Sequence, residues 1–418
     1  MGADMGADIK AAFKADSRAA DRGETVSMME PLLLGADSRH RGTLTDMALE
    51  LAQKSAGFKS SLPPGLVAAL AALVRAMNCY YSNLIEGHDT HPVEIERALK
   101  DELSKDAGTR DLQLEARAHI QVQSWIDEGG LRGGRAVSVE GIRAIHRRLC
   151  ELLPNELLWA EDPATKERER VVPGELRGRD VQVGRLVAVS PGAVPRFLER
   201  FAEVYARLGK TESILATAAA HHRLVWIHPF IDGNGRVARL MSHAVMLDTL
   251  DTGAVWSVAR GLARNVEEYK RLLAECDLPR RNDLDGRGNL SEEALAEFTG
   301  FFLRVCIDQV DFMVGLMQPE RLRARILLWA EEEIRLGLLP ARSGAILEAV
   351  LYRGELPRGE TGGVVGTGDR QARRIVSALE KRGVLESESP RAALRLRFPA
   401  ALGHRWMPGL FPERIGDG

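Results

Sequence analysis

The sequence predicts a mainly α-helical chain with more than one folded unit, interrupted by one short β-hairpin and closed by a separate basic module. Apolar residues recur at i, i+3 and i+4 along most of the chain, which is the helical period. Strand-like alternation is confined to a few residues between 171 and 189, and the charge balance changes sign near residue 338. At 418 residues the chain is two to three times the usual ~150 residues per domain, and 45% hydrophobic with 28% charged residues is an ordinary globular balance. Extensive disorder, a collagen-like repeat and a coiled-coil rod are therefore excluded.

Taken in order, residues 1 to about 40 mix charges with Gly and Ala and read as a loosely ordered arm. The doubled Met-Gly-Ala-Asp at 1–8 reads as an uncertain translation start, and no Ser or Thr follows Gly2 where myristoylation wants one. A helical region over 41–110 contains the first strong signal: Leu66, Ala69, Leu70, Leu73, Met77, Tyr80, Tyr81 and Leu84 form an amphipathic stripe that Gly87 would end. A second periodic stretch spans about 92 to 104, with Pro92 suited to a first turn. Helical segments follow at about 111–127, 138–152, 191–208, 211–226 and 235–250. Between them, Val181-Gln182-Val183, Gly184-Arg185 and Leu186 to Val189 read as a hairpin with a two-residue turn. Helical texture resumes from Ser291 to about Arg335, and Gly337 with Pro340 marks a boundary near 338.

One stretch concentrates reactive chemistry: His228-Pro229-Phe230-Ile231-Asp232-Gly233-Asn234-Gly235-Arg236-Val237-Ala238-Arg239. A helix ends at His228 and a new one opens around Asn234 or Gly235. A helix N-terminus offers unpaired N–H groups, and glycines let an anion approach them closely. Arg236 and Arg239 are three apart, hence on one helix face, ready for charge-assisted bonds to phosphate. Asp232 is a hard oxygen ligand of the kind Mg²⁺ takes beside phosphates, and His228 is a titratable group able to receive a proton. A plain surface turn would account for the glycines but leaves the His, the Asp and the paired Arg unexplained together.

This string resembles the signature of the Fic domain family, His-Pro-Phe-x-Asp-Gly-Asn-Gly-Arg-x-x-Arg, at every specified position. The resemblance implies a helical Fic core that binds ATP with Mg²⁺ and transfers AMP to a Tyr, Thr or Ser hydroxyl of a target protein, releasing pyrophosphate. It implies His228 as general base, Asp232 as metal ligand, Gly233, Asn234 and Gly235 as the anion hole, and Arg236 and Arg239 as holders of the outer phosphates. The core with its trailing helices would span 111–337, with Ile145-His146-Arg147-Arg148-Leu149 on a core helix. The 181–189 hairpin would be the flap that aligns the target by strand pairing. Arg264 to Tyr269 resembles the segment bordering the nucleotide base; Tyr269 taken alone reads as a packed amphipathic residue, and His221 and His222 as structural.

Ser82-Asn83-Leu84-Ile85-Glu86-Gly87 resembles the family's inhibitory motif, Ser/Thr-x-x-x-Glu-Gly/Asn, standing N-terminal to the core. Ser82 and Glu86 are four apart and share a helix face. The resemblance implies that Glu86 pairs with Arg239 and blocks productive seating of the γ-phosphate. Relatives that remove AMP use the same Glu to position water, so a de-AMPylating hydrolase is an alternative.

From 341 onward, 13 Arg and Lys face 9 acidic residues, a local +4, while the rest of the chain carries −6 and the whole −2. Helices are expected at 344–354, 357–364 and 369–382, the last with Ala372, Ile375, Val376 and Leu379 inward and Arg370, Arg373, Arg374, Ser377 and Lys381 outward. With strand-like Leu394 to Phe398 as a wing, residues 338–418 resemble a winged helix-turn-helix, which implies DNA binding or a protein-docking module. A DNA-binding regulator with a nucleotide-sensing core is the remaining alternative. The near-neutral total excludes a surface that coats nucleic acid throughout. Cys79, Cys150, Cys276 and Cys306 lack any C-x-x-C spacing and read as reduced, mostly buried thiols. Without a signal-peptide layout or a long apolar run, a cytoplasmic chain with no membrane contact is expected. The sequence leaves the oligomeric state open, a homodimer included.

Overall fold

A computed structural model describes residues 12–13, 20–162 and 165–412. Sixteen α-helices and eight short strands are found among them. The helices are α1 (Arg41–Ser60), α2 (Pro64–Ile85), α3 (Pro92–Leu99), α4 (Ala107–Asp127), α5 (Val139–Glu151), α6 (Val194–Tyr205), α7 (Lys210–Ile227) and α8 (Asn234–Leu250). They continue as α9 (Val258–Arg264), α10 (Val266–Glu275), α11 (Glu292–Leu316), α12 (Pro319–Arg335), α13 (Ser343–Arg353), α14 (Thr361–Val365), α15 (Asp369–Lys381) and α16 (Gly403–Trp406). The mainly helical expectation holds. No single described helix is long and apolar enough to cross a membrane, and all four cysteines are free and buried.

Local chemistry sets the helix starts. Asp106, Ser138, Ser257 and Ser291 each accept a backbone N–H of the first turn of α4, α5, α9 and α11. Pro319 begins α12, so the single helical stretch expected over 291–335 is two helices. The centre of the molecule is the antiparallel pair α7 and α8. The run Ala218-Ala219-Ala220 on α7 is buried and lacks bulk, which lets α8 approach closely. Around that pair α1, α2, α4, α5, α6 and α11 bury their apolar faces in one continuous core.

Three small antiparallel sheets decorate the helices. The expected hairpin is present as β4 (Val181–Val183) and β5 (Leu186–Val187), with Gln182 opposite Val187 and Gly184-Arg185 in the turn. Its other edge pairs with β1 (Ala12–Phe13), Ala12 opposite Gln182. A second hairpin, β2 (Trp159–Glu161) with β3 (Arg168–Arg170), has only three residues per strand and escaped the periodicity argument. The third sheet, β6 (Glu355–Leu356), β7 (Leu385–Glu386) and β8 (Leu394–Leu396), has the order β6-β8-β7 and lies beside α13 and α15.

Two expectations need correction. Residues 20–40 are not a loose arm: Met29, Leu32 and Leu34 are buried, Tyr205 donates its hydroxyl to the Leu32 carbonyl at 2.6 Å, and Glu24 accepts from the Ser190 N–H at 2.8 Å. Scattered apolar residues without a period bury against several partners, which periodicity does not register. The doubled tetrad at 1–8 lies outside the described residues. The boundary near 338 is also less of a break than expected. Trp329 of α12 meets Trp406 edge to face at 5.2 Å between ring centres, and Arg323 pairs with Glu348. Leu410 and Phe411 reach α2, where the Tyr81 hydroxyl donates to the Leu410 carbonyl at 2.8 Å and Tyr80 packs on Phe411 at 5.7 Å.

Candidate active site

The reactive stretch is the loop between α7 and α8. His228 closes α7 in a left-handed conformation, φ 52° and ψ 60°, with its N–H bonded to the Leu224 carbonyl at 3.1 Å. A non-glycine residue there turns the chain sharply and must be held by its surroundings. Asn234 latches the loop from inside: its Nδ2 donates to the Phe230 carbonyl at 2.8 Å, and its Oδ1 accepts from the Phe230 N–H at 2.9 Å. Gly233, at φ 80°, supplies the left-handed turn from which α8 starts, and no side chain caps that start. The first amides of α8 therefore face the cavity with only the helix's own geometry to define their partner.

That cavity has a volume of about 310 Å³. His228, Asp232, Gly233, Asn234, Gly235, Arg236, Arg239, Tyr269 and Glu86 all line it, so positions far apart in sequence share one wall. Its apolar side is built by Leu158, Trp159, Val171 and Ile231, with β2 supplying the tryptophan. His228 is buried, and its Nδ1 lies 3.3 Å from the Val225 carbonyl. A proton on Nδ1 satisfies that carbonyl and leaves the Nε2 lone pair available. Burial, followed by the Arg177 charge, depresses the imidazole to about 4, so the ring is a neutral base at physiological pH.

Asp232 opens onto the cavity, its side chain 54% exposed, and pairs with Arg236 at 3.0 Å. The surrounding protein on its own would raise its pKa; the Arg236 guanidinium and the Gly233 N–H outweigh that and hold it below the usual carboxylate range. Glu115 accompanies it, 3.5 Å from Arg236 and 3.0 Å from His88 Nδ1. For Arg236 burial works to lower the pKa, and the opposing carboxylates Asp232, Glu115 and Glu86 raise it overall. Neither Glu115 nor His88 stands out in sequence: Glu115 sits in an ordinary amphipathic pattern, and His88 follows the Ser82 to Gly87 stretch without belonging to its pattern.

Arg239 and Glu86 meet as an ion pair, with 4% and 27% of their side chains exposed. The guanidinium also donates from Nε to the Ser82 hydroxyl at 2.8 Å and from Nη2 to the Ser82 carbonyl at 3.2 Å. Glu86 can reach it because α2 stops there: Gly87 takes φ 88°, its N–H returns to Leu84 at 3.1 Å, and that of His88 to Asn83 at 2.9 Å. The carboxylate lies so close to the first turn of α8 that a Cβ on Gly235 would come within 2.5 Å of Glu86 Oε1. The Glu86 carboxylate thus lies against the first turn of α8, beside Arg239.

Tyr269 forms part of the wall, but it is buried and its hydroxyl is engaged by His221 Nε2 at 2.7 Å. His221 contacts Ser242 on its other side at 2.9 Å, and His222 contacts Asp277 at 2.9 Å, the structural placement read from sequence. His146 stacks on Phe230 at 3.9 Å and accepts the Gly174 N–H at 2.9 Å. Arg370, Arg373 and Arg374 stand exposed on α15, in the C-terminal module and outside this cavity. No group of three or more metal-ligating side chains is found among the described residues.

Residues 136–246 match the Fic/DOC family. Over 143 residues the chain is 29% identical to a protein adenylyltransferase Fic of Drosophila erecta, covering 34% of this chain and 28% of that protein. Over 144 residues it is 31% identical to a protein adenylyltransferase Fic of Drosophila grimshawi, with 34% and 29% covered. Over 117 residues it is 35% identical to protein adenylyltransferase fic-1 of Caenorhabditis briggsae, with 27% and 19% covered. The matched stretch is thus less than a third of each relative's length. The crystal structure of a Fic family protein from Desulfovibrio desulfuricans is similar at a TM-score of 0.51 and 16% identity, with 87% of this chain and 98% of that one covered. At that identity the likeness is one of fold.

Proposed function

We propose that this chain, which carries a Fic domain over residues 136–246, is a self-inhibited protein adenylyltransferase that moves AMP from ATP onto a hydroxyl side chain of a target protein. The observation that carries the inhibited state is Glu86, which engages Arg239 and lies against the first turn of α8 beside Gly235. In the transfer itself His228 Nε2 takes the proton of the target hydroxyl. The freed oxygen forms a bond to the α-phosphorus as the bond to the β-phosphate breaks, and pyrophosphate leaves. The amides at Gly233 to Gly235 and the guanidiniums of Arg236 and Arg239 hold phosphate oxygens. One exposed carboxylate, Asp232, beside a phosphate cradle suits Mg²⁺, which commonly takes one or two protein carboxylates and completes its shell with substrate phosphates and water. Mg²⁺ would neutralise phosphate charge there. The target is protein, the donor ATP and the setting cytoplasmic in this reading.

The test is incubation of purified protein with α-labelled ATP, Mg²⁺ and a cell extract, with Glu86→Gly alongside. Label should enter protein weakly with wild type and strongly with the variant. Equal labelling would remove Glu86 as the inhibitory group. A Glu86→Gly protein that loses the ability to release AMP from a modified target would establish the hydrolytic alternative instead.

For the C-terminal module we infer DNA contact through α15, as in winged helix-turn-helix proteins. Its support is the row of exposed Arg370, Arg373 and Arg374, none of which has a carboxylate within ion-pair distance among the described residues. Binding to duplex DNA should weaken steeply with salt, and Arg373→Ala with Arg374→Ala should lower that slope, because fewer counterions are released. Full-length protein that binds no duplex at ~50 mM salt, where such contacts are strong, would favour protein docking.

A further inference from the structure

Arg177 is a buried cation with an unusual set of partners. Its side chain reaches four backbone carbonyls: Nε donates to His228 at 2.7 Å, Nη1 to Arg179 at 2.7 Å, and Nη2 to Val189 and, at 3.4 Å, to Ile227. Its own backbone N–H donates to the Pro229 carbonyl at 2.9 Å. Two of the four carbonyls flank the left-handed turn of His228, and one belongs to Val189, just past the hairpin β4–β5. A neutral donor satisfies carbonyls at far lower desolvation cost than a guanidinium, so the fold gains something from the fork and from the charge.

We propose that Arg177 is a positioning residue for His228, fixing the imidazole-bearing peptide to the base of the hairpin so that the proton acceptor and the strand presenting the target keep one relative placement. The inference rests on the transferase reading. His228 adopts a conformation disfavoured for a side-chain-bearing residue, and the Nε bond to its carbonyl holds that peptide orientation directly. The same guanidinium bridges from Ile227 and His228 to Val189, joining two segments that are otherwise about forty residues apart. Its positive charge also disfavours protonation of the ring, second only to burial; Asp232 and Glu86, the carboxylates facing the imidazole, act in the opposite sense. Nothing in the local sequence marks this role, since Leu176-Arg177-Gly178-Arg179-Asp180 reads as a polar connection.

The experiment uses full-length protein in the Glu86→Gly background, with Arg177→Lys and Arg177→Met added separately. Initial rates of self-labelling from α-labelled ATP are measured against ATP concentration and pH, and the His228 imidazole is titrated by NMR in the same proteins without nucleotide. Arg177→Met should lower kcat by about ten- to a hundredfold with KM for ATP changed less than about threefold, since misplacement acts on the reacting geometry. Its imidazole should titrate at higher pH, because a cation has gone. Arg177→Lys keeps the charge but replaces the fork with a point donor, so kcat should fall while the titration stays in place. Unchanged kcat in both variants, or a loss expressed wholly in KM, would overturn the proposal. If Arg177→Met does not fold, as circular dichroism would tell, Arg177→Lys carries the same decision. If the Glu86→Gly protein itself transfers no label, the transferase reading has failed, and the imidazole titrations still decide whether Arg177 acts on His228.

Discussion

His228 and the Glu86–Arg239 pair show how single side chains divide the work of the site. The imidazole is buried, neutral and tied at Nδ1, so His228→Ala should reduce transfer by at least about a hundredfold while ATP affinity moves only a few-fold, as expected for a general base that does not hold the nucleotide. Labelling assays run beside an ATP-binding titration check this, and undiminished transfer would exclude the role. The ion pair makes a different prediction. Glu86→Gly should raise transfer, and adding Arg239→Ala should abolish the gain because the phosphate clamp is lost. In thermal stability the two changes should be non-additive by about 0.5 to 3 kcal/mol, since the side chains touch. Additive effects would mean that the contact carries no energy.

At the scale of the element, the loop between α7 and α8 is a short connector held in one shape by its own residues. Asn234 bonds both polar groups of the Phe230 peptide, which are buried, and so belongs to the frame of the anion site as well as to its wall. Asn234→Ala leaves that N–H and carbonyl without partners and should cost about 2 to 6 kcal/mol, at about 1 to 3 kcal/mol for each orphaned group. Thermal unfolding measures the cost. Faster amide exchange at Phe230 to Gly235 would locate it, and exchange at the wild-type rate would contradict the latch. Helix α2 is a second instructive element. Its end is fixed by Gly87, and its last turns are gripped from one side by Arg239 through Ser82 and from the other by Leu410 through Tyr81.

For the molecule as a whole, the buried histidines dominate the response to acid. His119, His146, His221 and His228 are pushed down to about 3, 4, 3 and 4, in each case first by burial. Below the ordinary value of 6.5 the unfolded chain takes up protons at these four positions and the folded chain does not. Stability therefore falls with decreasing pH between about 6.5 and 4, by about 1.4 kcal/mol per pH unit for each group once the unfolded chain is protonated. His222 is lowered in the same way, first by burial, while His88 acts in the opposite sense, its pKa raised first by the Glu115 hydrogen bond, but it is one group against five. The melting temperature should drop steeply between pH 6.5 and 4.5. A flat profile over that range would show that these rings are not held neutral.

The sequence by itself determined the helical body, the β4–β5 hairpin and the composition of the reactive loop. Each is local: a 3.6-residue period, a Gly-Arg turn, or a dozen consecutive residues whose chemistry makes sense only together. It also supplied Glu86 and Ser82 at a spacing that places both on one face, through a resemblance and not through their surroundings. Glu115, His88 and Arg177 were invisible because the partners that give them meaning, Arg236 for Glu115, Glu115 for His88 and His228 for Arg177, lie 121, 27 and 51 positions away. Residues 20–40 looked loose for the same reason: their apolar side chains follow no period, and they find Tyr205, Ser190 and the core only after the chain has folded. Tyr269 shows the limit most plainly. Its place in the cavity wall is set by a buried hydrogen bond to His221, forty-eight residues earlier, and contacts at that separation exist only once packing has brought α7 and α10 together.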